Sequence, residues 1–229
     1  MAQTEQTRGA CTYCGRRMTR AGMARHLGTC EKRREAVAAA DQGRGKVMPR
    51  VHLQVQPDWG GDHWLHLEVD GTATLADIDH YLRVIWLECC GHLSEFFGGR
   101  SLRDEVDMDE KVANVFRPGV ELKHIYDFGT ESVTLLKAVA ARQGRPITRK
   151  PVTLMARNEM PAYICQECDA PATSLCLECA YEYDEENPGT LCDEHAGTHP
   201  HDNYGEPTPL VNSPRLGLCG YDGPAEPPY

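Results

Sequence analysis

The chain has 229 residues, a formal net charge of −10 and 41% hydrophobic content, enough for a core of about a hundred residues with smaller modules beside it. No apolar run approaches the roughly 18 residues a spanning helix needs, and MAQTEQTRGACTYC lacks the apolar segment of a signal peptide, so a cytoplasmic protein without membrane contact is expected. Eleven cysteines would suggest disulfides in an exported chain; without an export signal they read as reduced thiols available as metal ligands.

Charge is distributed unevenly. Residues 1–50 sum to +7, residues 51–150 to −5 and residues 151–229 to −12. Nucleic acid, if bound, is therefore expected at residues 1–50, whereas the acidic C-terminal third is repelled by phosphate.

The first predicted element is a zinc finger in CTYCGRRMTRAGMARHLGTC. Cys11 and Cys14 are separated by two residues, Cys14 and His26 by eleven, and His26 and Cys30 by three. A tetrahedral site needs two chelating pairs, which here are a Cys-turn-Cys knuckle and a His and Cys one helical turn apart. Met18 and Met23 sit where a ββα finger places its small core. Such a unit has little core of its own, so metal binding is expected to supply its folding energy. Seven Arg and Lys residues between Arg16 and Arg34 make it basic; they suit phosphate contact or a solvated helix face on a protein-docking knob.

Gly-rich and basic stretches at Asp41–Arg50 and Arg142–Pro151 read as linkers. Between them, VHLQVQ and WLHLEV alternate with period two and predict strands, with a turn at Asp70-Gly71. Leu75, Ile78, Leu82, Ile85 and Trp86 then recur at three or four residues. They predict the main helix, capped by Thr74 with Asp77 and ended by Gly91. HLSEFFG, VELKHIYDFG and SVTLLKAVA predict further strands, and EKVANVF a short helix. The pattern is α+β, one main helix on a mixed or antiparallel sheet. Asp127 is expected to hydrogen-bond a turn in which Gly129 takes positive φ, with Tyr126 and Phe128 packed on the sheet. His92, Glu95, His124 and Asp127 could alternatively meet in a cleft as acid/base groups. Cys89 and Cys90 read as partly buried thiols, and Cys219 has no assigned role.

The third block contains Cys165, Cys168, Cys176, Cys179, Cys192, His195, His199 and His201, with intervening spacings of two, seven, two, twelve, two, three and one residues. Four close pairs supply the ligands of two closed tetrahedral sites, three zinc sites in all with the finger. Two pairings are open: sequential, with the four early cysteines on one metal, or cross-braced. Were Cys192, His195 and His199 on one helix, they could instead form an open catalytic site with Glu194 or Asp193 as base; Gly197 and Pro200 oppose a helix there. After His201 the Pro- and Gly-rich sequence has no periodicity and is expected to be extended or disordered. The expected division is 1–46 finger and linker, 47–150 α+β domain, 151–204 two-zinc module and 205–229 tail.

Two resemblances accompany this reading. TLADIDHYLRVIW, HLSEFF, VANVF and KHIYDFGTESVTL resemble the plasmid (Ri-plasmid) ORF-3-like family over about residues 50–145. His92, Leu93, Glu95 and Phe96 match one motif and Tyr126, Asp127, Phe128 and Gly129 the other; Thr130, Ser132 and Thr134 replace the family's Asp, Trp and His. The resemblance implies a compact α+β domain without an established reaction, associated with plasmids or mobile elements. The C-terminal order resembles a B-box zinc-binding domain, although the family has a shorter link before Cys192. It implies the cross-braced pairing, with Cys165, Cys168, Cys192 and His195 on one zinc and Cys176, Cys179, His199 and His201 on the other. The resulting expectation is a non-enzymatic zinc-stabilised interaction protein, nucleic acid meeting its basic end and a protein partner or a second copy its C-terminal module. The competing expectation is a metal-dependent hydrolase or nuclease using a central cleft or an open C-terminal zinc.

Overall fold

In the first unit, residues 1–81 and 92–159, strand alternation decides the architecture. The computed structural model describes residues 6–88, 90–98, 104–182, 188–200 and 203–227. The chain begins with β1 (Arg8–Cys11), β2 (Arg17–Thr19), α1 (Arg20–Thr29), α2 (Glu31–Asp41), β3 (Met48–Pro57) and β4 (Leu65–Asp70). It continues with α3 (Leu75–Ile85), β5 (Ser94–Gly98), β6 (Glu105–Val106), α4 (Val112–Val115), β7 (Glu121–Tyr126), β8 (Ser132–Gly144) and β9 (Val152–Asn158). These nine strands form one sheet in the order β2-β1-β9-β4-β3-β8-β7-β5-β6, every pairing antiparallel. The fold is α+β.

Register separates the two faces. Leu53 opposes both Leu67 and Ala138, and Val55 opposes Leu65 and Leu136, so these buried side chains share one face. Leu136 opposes Leu122 and Thr134 opposes His124, extending that face to β7. There Asp79 of α3 accepts hydrogen bonds from His124 Nε2 at 2.8 Å and Ser94 Oγ at 2.7 Å. On the opposite face lie His52, His66 and Glu68. α1 and α2 reach this second face through the Arg20 carbonyl, 3.2 Å from His66 Nε2, and Arg33, 2.9 Å from Glu68. Helices therefore meet the sheet on both faces, not one.

The predicted Thr74–Asp77 cap is present: Asp77 accepts from the Thr74 amide at 2.9 Å, and Thr74 Oγ1 from the Asp77 amide at 3.3 Å. The helix stops at Ile85, earlier than Gly91. Leu87 adopts φ 57° and the Glu88 amide reaches the Arg83 carbonyl at 2.9 Å, a Schellman ending on a non-glycine residue. At the YDFG turn Asp127, not Gly129, is left-handed, with φ 62°; its carboxylate accepts from the amides of Gly129 and Thr130. Tyr126 is fully buried as expected, but Phe128 is exposed.

Neither predicted linker is wholly a linker. α2 occupies residues through Asp41 and β3 begins at Met48, while β8 continues to Gly144. β9, which the expected boundaries put in the C-terminal module, pairs with β4 and β1. Gly9, Ala10 and Cys11 oppose Asn158, Arg157 and Ala156, making the finger's hairpin the edge of the sheet. Gly9 is required there, because a Cβ would lie 1.9 Å from the Arg157 carbonyl oxygen.

The second unit, residues 82–91 and 160–229, contains β10 (Ser174–Leu175), α5 (Leu177–Glu182), β11 (Thr190–Leu191), α6 (Asp193–Ala196) and β12 (Thr208–Pro209). β12 pairs with β10, so the tail is not disordered between residues 203 and 227: Leu210, Val211, Ser213 and Arg215 are buried. Leu210 packs with Leu175 and Leu177, and Tyr181 donates to the Leu218 carbonyl at 2.9 Å. Isolated Leu and Val side chains among prolines supply this anchoring without any periodic pattern.

Two measurements test the second sheet face. Glu68 is buried and accepts from Arg33 and, through two bonds, from Arg142. Glu68→Ala strands both guanidinium groups and is expected to destabilise the chain by about 3–5 kcal/mol in urea unfolding, whereas Glu35→Ala on the exposed Lys32 pair changes little. Burial holds His52 at about 3 and His66 at about 4, below their ordinary 6.5. The unfolded chain protonates first as pH falls, so stability is full above about 6.5 and lost toward 4. His52→Gln should remove about one proton's worth of that slope, about 1.4 kcal/mol per pH unit, in unfolding curves recorded across the range.

Candidate metal centres

Metal-ligand spacing demands that each Cys-x-x-Cys pair turn sharply, and the first one does. Gly15 has φ 71°, its amide donates to the Cys11 carbonyl at 2.8 Å, and the Cys11 amide donates to the Arg16 carbonyl at 3.0 Å. The other pair comes from the end of α1: His26 lies in its last turn and Cys30 follows in extended conformation, acting as the hinge to α2. The expected single helix through His26 and Cys30 is thus broken one residue before the cysteine. Ligand atoms of Cys11, Cys14, His26 and Cys30 all lie within 4.8 Å of one another, with Cys14 Sγ and His26 Nε2 at 3.2 Å.

This cluster is not left to metal alone. Met23, Leu27, Cys11 and Cys30 are buried with Met155 and Ala156 of β9 and with Trp64, and Met18 packs against them. Burial in this apolar environment pushes the Cys11 thiol up to about 11. The finger has little core of its own, but it packs on β9 and on Trp64, the residue preceding β4, so metal is not its one source of folding energy.

In the second unit, the chain brings Cys165, Cys168, Cys192 and His195 together, their ligand atoms again within 4.8 Å. His195 Nδ1 stands 3.5 Å from Cys165 Sγ, 3.5 Å from Cys168 Sγ and 3.3 Å from Cys192 Sγ, and Cys168 and Cys192 sulfurs are 3.9 Å apart. Zinc bond lengths of about 2.3 Å to sulfur and 2.0 Å to nitrogen give tetrahedral edges of about 3.5 Å (S–N) and 3.8 Å (S–S). One imidazole nitrogen has a single lone pair and cannot accept from three thiols; a common metal ion accounts for all three distances. Burial works to raise the Cys165 thiol, but the amides of Cys192, Glu167 and Cys168 outweigh it and bring it down to about 6, favouring the thiolate that metals bind.

The third cluster is Cys176, Cys179 and His199, with Cys179 Sγ and His199 Nε2 at 3.1 Å. His201, expected as its fourth ligand, lies outside the described residues, as does Cys89. Cys176 precedes α5 and Cys179 lies within it, while Cys192 and His195 bracket the start of α6. The grouping of side chains is the cross-braced one. Cys192 and His195 are separated from His199, so those three residues do not form the open site on one helix that the enzymatic alternative used.

One contributor was missed in the sequence. Glu167, between Cys165 and Cys168, places Oε1 3.2 Å from His199 Nδ1 and thereby fixes the ring with Nε2 toward Cys179. Its position inside a knuckle, facing the neighbouring site, was the available signal. The proposed central cleft is not assembled: Ser94 opposes Tyr126 and Phe96 opposes His124, so Glu95 points to the other face of the sheet from His124. His92 Nδ1 does approach Asp127 Oδ2 at 3.5 Å.

Zinc content can decide the pairing. In cross-braced sites Cys165 and Cys192 share one ion, so Cys165→Ser, Cys192→Ser and the double variant should each lose the same single equivalent. Sequential pairing instead predicts that the double variant loses two.

No protein-family model matches the sequence, and no curated protein matches it. Among solved structures, the chain is similar to a crystal structure of a protein of unknown function from Methanosarcina mazei Go1. Identity is 17% and the TM-score 0.39, over 47% of this chain and 69% of that one. The resemblances of the central and C-terminal blocks rest on their residue patterns alone. Among the described residues, no helix is long and apolar enough to cross a membrane.

Proposed function

We propose that the chain is a non-enzymatic zinc-binding interaction protein with three zinc ions, a nucleic-acid-contacting finger and a C-terminal protein-binding module. The carrying observation is the set of three Cys/His clusters, above all the three sulfurs grouped around His195 Nδ1. Thiolate-rich sets of three cysteines and one histidine favour a closed structural zinc over a hydrolytic one. The cluster of Cys176, Cys179 and His199 supplies three described ligands, the number a hydrolytic zinc also has, so a metal-dependent hydrolase is the alternative reading; His201 as fourth ligand closes the site in ours.

Of the N-terminal cations, Arg17, Lys32 and Arg33 are engaged with Glu159, Glu35 and Glu68. Arg16, Arg25 and Arg34 are exposed and form no ion pair among the described residues. A groove of about 700 Å³ opens on the first cluster, where Arg16 and Lys32 line it beside Glu31 and the ligands Cys14, His26 and Cys30. These features support contact with a phosphate backbone. On the second unit, exposed Met160, Ile164 and Tyr204 support a protein partner or a second copy. The association with plasmids or mobile elements belongs to the same proposal and has the central residue pattern as its support.

Zinc-loaded intact chain should bind duplex DNA or RNA with an affinity that falls as salt rises. Replacing Arg16, Arg25 and Arg34 by Ala should flatten the log–log salt slope on B-DNA by up to about 0.9 for each phosphate that is no longer neutralised. Binding that is absent at low salt, or unchanged by the triple substitution, sinks the nucleic-acid claim. A water-ligated zinc at Cys176, Cys179 and His199 would revive the hydrolase.

A further inference from the structure

Among the described cysteines, Cys90 and Cys219 lie outside the three clusters above and belong to a fourth, smaller group of possible metal ligands. Both belong to the second unit, and despite their distance in sequence their sulfurs lie within 4.8 Å of each other. Cys90 Sγ also donates to the Cys219 carbonyl oxygen at 2.9 Å, which holds its side chain against the Cys219 backbone. Cys219 sits in a tight turn: Gly220 has φ 72°, and the amides of Gly220 and Tyr221 both donate to the Gly217 carbonyl. Tyr181 fixes the preceding carbonyl, that of Leu218. Cys90 is exposed and Cys219 is partly so.

We propose that Cys90 and Cys219 form a reversible disulfide when the protein meets hydrogen peroxide. A disulfide needs the sulfurs at about 2.05 Å, so the two side chains must close the separation that remains between them. The exposed Cys90 thiolate attacks one peroxide oxygen; the O–O bond breaks, Cys90 becomes a sulfenic acid and the departing hydroxide takes a proton to leave as water. The Cys219 sulfur then attacks the Cys90 sulfur. The S–S bond forms, the S–O bond breaks, and the hydroxide released takes the Cys219 proton as a second water. Two thiols are thereby oxidised by two electrons and one peroxide reduced to two waters; a dithiol reverses the step by exchange.

The clustered cysteines are poorer targets, since a metal-bound thiolate has its lone pair engaged. The link would tie the segment 82–91 to the C-terminal turn that follows β12, and so fasten the part of the tail that packs on β10 and α5. The inference does not depend on the metals being zinc.

The test uses the intact, metal-loaded chain treated with hydrogen peroxide, then denatured, alkylated, digested and mapped by mass spectrometry, with metal content read in parallel. The expected result is a peptide pair joined through Cys90 and Cys219, no metal released, and cleavage of the tail by protease slowed. Cys90→Ser and Cys219→Ser should each abolish the joined pair, Cys89→Ser should not, and dithiothreitol should restore both thiols. The proposal is overturned if Cys90 and Cys219 stay alkylatable after peroxide, or if Cys90 joins another cysteine. It is equally overturned if the link forms only after metal is lost.

Discussion

Convergence of three sulfurs on one imidazole nitrogen, that of His195, is the constraint on which the second unit depends. Its strands have two residues each and its helices four or six, far too short to be stable from backbone hydrogen bonding alone. What joins them is side-chain chemistry. Cys165 and Cys168 come from a turn, Cys192 and His195 from the start of α6, and the sulfurs and nitrogen meet at the edge lengths of a zinc tetrahedron. The same logic gives Cys176 and Cys179 their partner in His199, with Glu167, inside the Cys165–Cys168 knuckle, as the group that couples one cluster to the other. Small apolar contacts, Leu175 with Leu177 and Leu210, add to this and do not replace it.

The first cluster has a different dependence. Its hairpin extends a nine-stranded sheet, and Met23 and Leu27 pack on Trp64 and Met155. Burying two such side chains contributes roughly 1.5–3 kcal/mol each, and the Arg33–Glu68–Arg142 contact secures α2 to the same face. Metal there completes a structure that packing has already largely specified. Loss of metal should therefore be felt most in the second unit, and far less in the sheet. Arg33 is engaged with Glu68, so the exposed positive charge of the basic finger falls to Arg16, Arg25 and Arg34.

Much of this was legible in the residues. Period-two alternation in VHLQVQ and WLHLEV located β3 and β4, and the Leu75–Ile78–Leu82–Ile85 spacing located α3 together with its Thr74–Asp77 cap. Cysteine and histidine spacing found the members of the three clusters, because chelation demands close pairs whatever the fold. The pairing of the hairpin with β9 was not legible: Val152–Asn158 is a short strand behind a basic, Gly- and Pro-containing segment, and sheet neighbours distant in sequence leave no local trace. The tail escaped for a related reason, since Leu210 and Val211 have no periodicity to announce them. Asp127 took the left-handed turn position assigned to Gly129 because its carboxylate satisfies two amides there, and the helix ended at Ile85 because a Schellman turn with Leu87 left-handed formed ahead of the glycine.

Cadmium-113 spectroscopy of the fully substituted chain tests the central claim most directly, because the chemical shift reports how many sulfurs bind each ion. The account predicts three resonances of equal weight. Two should have the shift of three sulfurs and one nitrogen, from the clusters containing His26 and His195, and one that of two sulfurs with nitrogen, from the cluster containing His199. A four-sulfur resonance would contradict it, since that is the signature of Cys165, Cys168, Cys176 and Cys179 sharing one metal. Fewer than three bound ions would contradict it as well.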